Sequence, residues 1–171
     1  MRERWLTACH EAGHVVASVM RSGGTFISVT IEPTDERAGC THTRTMQWDS
    51  DFVSYAGPWA EARAQWPADL PIDEFDDDGS EFNDYILTAL INNRPDFQAY
   101  TEPAGETAVA LRKSLERTYG DEIRHIDKAR DETWNWELEQ KWQIMLLVAQ
   151  LLIDSQPVTA EVVQALIEEQ T

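Results

Sequence analysis

His10 and His14 stand four residues apart in the stretch TACHEAGHVVA, with Glu11 directly after the first. On an α-helix, positions i and i+4 share a face, so two imidazole nitrogens can reach one metal ion. Neutral imidazole suits Zn2+, which in catalytic sites keeps three protein ligands and a water. The ion lowers the pKa of that water toward about 7, and Glu11, projecting beside the pair, can accept its proton. Gly13 would let a second element approach this helix closely. The competing reading is two hydrogen-bonded histidines on an ordinary core helix.

A third ligand would sort the zinc families. The extension to a third histidine, HExxHxxGxxH, is absent, since Ala17 and Met20 occupy its glycine and histidine positions. Glu32 and Glu36 lie at a distance that some zinc peptidases use, but at a strand end or turn instead of on a second helix. Residues 69–84 hold eight acidic side chains and no Lys or Arg. Within them Glu74, Asp76, Asp78 and Gly79 fit the first positions of a calcium loop, but Tyr85 stands where the bidentate Glu belongs, so a solvated loop is the better reading. Such a loop would repel acidic peptides or favour basic ones. His42 and His125 have no partner at metal spacing and read as surface histidines.

The elements that must position these groups follow from periodicity. Trp5, Ala8, Cys9, Ala12, Val15, Val16 and Val19 predict a helix over 3–21, stopped by SGG at 22–24. TFISVTIEP alternates as a strand, with Phe26, Ser28 and Thr30 on one face and Ile27, Val29 and Ile31 on the other. Residues 38–48 supply the second arm of a hairpin. A second helix spans 51–66, with Pro58 expected to kink it. A loop runs from 67 to 79, and a third helix covers roughly 81–93 with Ser80 as its N-cap. NRPDFQAYTEPAG reads as a connecting loop. Helices then follow at about 105–118, about 121–153 and after Thr159. The fold class expected is mainly α with one small β-hairpin (α+β), in a single domain over 1–171.

Composition bounds the function. Asp and Glu outnumber Lys and Arg by 31 to 14, and a net charge of -17 argues against nucleic acid as a partner. Cys9 and Cys40 are too few for a disulfide framework, which suggests a reducing, cytoplasmic setting. MRERW runs straight into the first helix and predicts no leader. The longest apolar run, IMLLVAQLLI at 144–153, is too short to span a bilayer, so no membrane insertion is expected.

Five segments in register resemble the peptidase domain of the FtsH-type membrane AAA proteases. HEAGHVVAS is similar to their HEAGHAVV, and ISVTIEPTDERAGCT to their strand pair, with Gly39 and Thr41 in step. SYAGPWAEA resembles LLAGRAAEE, and GSEFNDYILTA resembles the segment that carries their Asn-Asp pair. WQIMLLVAQLLIDSQPVTAEVVQAL looks like their C-terminal helices, so the likeness extends over roughly residues 5–168. It implies a zincin-like helical domain that hydrolyses peptide bonds in unfolded or extended polypeptides. Zn2+ would be held by His10, His14 and Asp84, with Glu11 as general base. Glu61, matching the glutamate of the AAE pattern, would orient a histidine from behind. Glu81, one turn before Asp84, is the alternative third ligand. The ATPase module and transmembrane helices of that family have no counterpart here, so a separate ATPase or unfoldase would supply unfolded chains. The strand at 25–31 could pair with the substrate. The rival expectation is a non-catalytic binding or regulatory protein on the same scaffold.

Overall fold

The computed structural model describes residues 2–21, 25–33, 38–44, 49–101 and 130–170. In chain order these form α1 (Arg2–Met20), β1 (Thr25–Thr30), β2 (Cys40–Arg44), α2 (Ser50–Gln65), α3 (Phe82–Asn92) and α4 (Arg94–Thr101). Helical residues 130–139 (α5), α6 (Trp142–Ile153) and α7 (Ala160–Glu169) complete the series. The fold is therefore mainly helical with a two-stranded antiparallel hairpin. Among the described residues no helix is long and apolar enough to cross a membrane.

Helix α1 is the centre of the molecule. Every residue from Ala8 to Ser18 is buried, because α2 packs on one side, α6 on another and the hairpin along a third. A helix enclosed on all faces ordinarily carries no charge. The polar side chains His10, Glu11 and His14 inside this one must therefore find partners. Close approach of α2 depends on small residues. A Cβ on Gly13 would lie 2.2 Å from the Ala56 carbonyl oxygen and 2.9 Å from Ala60 Cβ. Pro58 sits inside α2, fully buried, in the segment that faces α1.

The hairpin departs from simple alternation. Its register runs from Thr25 opposite Arg44 to Thr30 opposite Cys40, with an irregularity between Phe26 and Ser28. Ile27 is the extra residue and is 59% exposed, whereas Phe26 and Ile31 are buried. A bulge shifts the inward set by one position, so Phe26 and Ile31 point the same way despite their odd spacing.

Three other expectations change. The segment taken as a loop after α3 contains α4, with Pro95 in its first turn, where a missing N–H costs nothing. The single helix expected over 121–153 is broken at 140–141 into α5 and α6. The N-cap of α3 is Glu81 and not Ser80. The helix expected at about 105–118, and His125, lie outside the described residues. Helix α5 is fastened by charge: Glu137 takes Arg21 at 2.7 Å, Glu139 takes Arg63 at 3.0 Å, and Arg130 reaches Asp51 at 3.6 Å.

Candidate metal centre

His10 and His14 lie one turn apart on α1, their rings 4.8 Å apart and nearly perpendicular. Each ring is fixed from behind through Nδ1. His14 Nδ1 donates to the Val53 carbonyl at 2.7 Å, and His10 Nδ1 donates to Glu61 Oε2 at 3.0 Å, both acceptors being on α2. Asn93 Nδ2 donates to the same Glu61 oxygen at 3.2 Å and steadies it. Glu61 thus stands behind His10.

With both Nδ1 atoms protonated, both Nε2 atoms present lone pairs to the cleft. They are 3.1 Å apart, and Asp96 Oδ2 lies 3.0 Å from His10 Nε2 and 3.4 Å from His14 Nε2. Three acceptors converge with no donor between them, an arrangement that repels itself unless a cation is shared. The spacing suits a metal. Ligand distances of about 2.0–2.2 Å around tetrahedral zinc place ligand atoms roughly 3.3–3.5 Å apart. These three residues are the group among the described residues able to hold a metal ion.

A proton fills the same place when no metal is held. Burial pulls the His10 pKa down, but hydrogen bonds to Asp96 and Glu61 outweigh it and raise the imidazole from 6.5 to about 10. The Asp96 carboxyl is pushed upward by burial, yet the charge of His14 and the bond to His10 hold it well below the usual carboxylate range. Cys9, beside His10 in sequence, is kept as a thiol. Burial, with Glu61 nearby, pushes its pKa up to about 12.

Asp84 does not reach this cluster. It is exposed in the first turn of α3, where Glu81 N donates to its Oδ2 at 3.0 Å in a capping box. The third group at the two Nε2 atoms is the Asp96 carboxylate, from α4, in place of the expected Asp84. Glu81, the alternative, is the other half of the capping box and is likewise exposed. The sequence carried a sign of Asp96: Pro95 followed by an acidic residue is a helix-start pattern, and it places a carboxylate in a first turn.

Glu11 is 5% exposed and lies on the cleft wall. Thr41 Oγ1 of β2 donates to its Oε2. Gly39 makes room for it, since a Cβ there would fall 2.7 Å from Glu11 Oε1. The cleft holds about 470 Å³ and is bounded by α1, residues 38–41 of the hairpin, and Asn92 to Asp96. Residues 38–41, and not β1, form its strand-side wall. His42 is exposed, with Nε2 3.5 Å from Cys40 Sγ. In the acidic loop, Asp76 is taken up by its own turn: Oδ1 accepts from the backbone of Asp78 and Ser80, and Oδ2 accepts from Tyr85. No family model matches this chain, and no curated protein or solved structure matches it either.

Proposed function

We propose that the chain is a zinc-dependent metallopeptidase acting on unfolded or extended polypeptides. The observation that carries this reading is the convergence of His10 Nε2, His14 Nε2 and Asp96 Oδ2 within 3.0–3.4 Å on a cleft that Glu11 also lines. A divalent ion bound there would supply Lewis acidity toward a carbonyl and a water acidified toward about pKa 7. The chain supplies the rest. Glu11 accepts the water's proton on its carboxylate and passes it to the departing amine. Thr41 fixes the Glu11 carboxylate, while Glu61 and the Val53 carbonyl fix the two rings so that Nε2 faces the cleft. Residues 38–41 offer main-chain groups along which an extended peptide could lie, a role suited to tolerance of sequence.

The reading keeps the histidine–glutamate half of the FtsH-type resemblance and takes its third ligand, Asp96, from α4. A separate unfoldase would widen the substrate range to folded proteins.

Glu11→Gln separates catalysis from metal binding. The variant should keep about one zinc per chain and lose casein hydrolysis by several orders of magnitude. A variant as active as the parent removes Glu11 from the mechanism. A zinc-loaded parent that cleaves no unfolded substrate favours the binding-protein reading.

A further inference from the structure

Arg94 opens α4 two residues before Asp96 and lines the same cleft, where it is the sole Lys or Arg among the described residues. Four other described arginines are matched, Arg4 with Glu32, Arg21 with Glu137, Arg63 with Glu139 and Arg130 with Asp51, while Arg2 and Arg44 have no such pair among the described residues but do not line the cleft. No carboxylate among the described residues pairs with Arg94, in a chain where acids outnumber bases 31 to 14. An unpaired guanidinium on the wall of a site is a ready carboxylate receptor, because its planar donors match two carboxylate oxygens at once.

Charge balance points the same way. Among the described residues that line the cleft, the carboxylates Glu11 and Asp96 would offset a divalent ion and leave Arg94 as the surplus positive charge. The overall charge of -17 opposes an acidic ligand, but its field is screened beyond about 8 Å at physiological salt. The acidic loop before α3 is also remote. The cleft is met at the C-terminal end of α3, an eleven-residue helix about 16 Å long.

We propose that Arg94 is a specificity residue that binds a carboxylate of the substrate. The segment accepted by the cleft then carries either an acidic side chain or a free C-terminal carboxylate next to the bond at the metal. This rests on the cleft being the substrate site proposed above, and it runs against the preference for basic peptides expected from the acidic loop.

The test uses zinc-loaded Glu11→Gln protein, so that peptides bind without being cut, and calorimetry at physiological salt. The probes are hexapeptides that differ only by Glu or Gln, walked through each internal position, and the same peptides ending in a carboxylate or an amide. One acid-bearing peptide should bind about tenfold more tightly than its neutral twin. Arg94→Ala should abolish that preference, Arg94→Lys should restore part of it, and Arg94→Glu should turn it toward a lysine-bearing peptide. A preference that follows the internal Glu identifies an acidic side chain, and one that follows the terminus identifies the C-terminal carboxylate. Equal affinity for the twins, no binding of any acid-bearing peptide, or a preference unchanged in Arg94→Ala overturns the proposal. The ratio of kcat/KM values for the same twins on the Glu11-containing protein gives a second reading. If that protein cleaves nothing while Arg94-dependent binding persists, the catalytic reading falls and the carboxylate site stands.

Discussion

Asp84 and Asp96 are both first-turn carboxylates, on α3 and α4, and only Asp96 faces the histidines. The difference makes a direct prediction. Asp96→Ala should weaken zinc binding by well over tenfold, since even changes to groups behind the ligands reach that size. Asp84→Ala should leave zinc in place and cost about 1 kcal/mol through the lost helix cap. Zinc titration against a competing chelator, with thermal melting of both variants, reads the two effects separately. Retention of zinc in Asp96→Ala would remove it from the site. A second prediction concerns pH. In metal-free protein the His10 pKa is about 10 when folded and 6.5 when unfolded. The folded state holds the proton more tightly, so this contribution is complete below pH about 6.5 and fades as pH climbs through 10. Denaturant midpoints of chelator-treated protein should fall between pH 7 and 9.5, while zinc affinity rises over the same window as the competing proton leaves. A metal-free midpoint that climbs instead contradicts the cluster. The histidines and Glu11 were legible because their spacing alone puts them on one helix face. Asp96 was not, because Arg94-Pro95 reads as a break until a helix is known to begin there.

Two glycines at the α1–α2 contact should respond differently to the same methyl group. On Gly13 it would meet backbone, the Ala56 carbonyl at 2.2 Å, so Gly13→Ala must push the helices apart. Overpacking of this kind costs about 1–3 kcal/mol. On Gly57 it would meet the His14 ring, with Nε2 at 2.3 Å. Gly57→Ala should therefore turn the imidazole away and lower zinc affinity more than stability. Paired melting curves and zinc titrations check this, and equal loss of both properties in the two variants would show that the ring is not the part that yields. At this scale the sequence was legible in outline. The helix through the motif, the hairpin and α2 all follow from periodicity, because long amphipathic patterns outweigh local exceptions. The bulge at Ile27 and the break at 140–141 were hidden, since each is set by what the element packs against.

At the scale of the whole molecule, the mainly helical class with one hairpin was readable, but α4 and the way the elements meet were not. Hydrophobic periods say which face is inward, and they say nothing of which neighbour covers it. The consequence is largest at α4. An eight-residue helix is too short to hold its form in isolation, so α4 depends on its contacts with α2 and α3 and on the link from Asp96 to His10, 86 residues away in sequence. An ion among His10, His14 and Asp96 would tie α4 to α1. The first turn that offers Asp96 to the ion also carries Arg94 on the cleft wall, so what happens at one residue is felt at the other. Two ligands that share a structural element are linked reciprocally: each changes the other's affinity by the same factor. A peptide carboxylate on Arg94 that steadies this turn would strengthen the hold on the metal, by the factor by which the metal strengthens the hold on the peptide. The metal and the peptide would act as cofactors for one another's binding, with one turn of helix as the coupling.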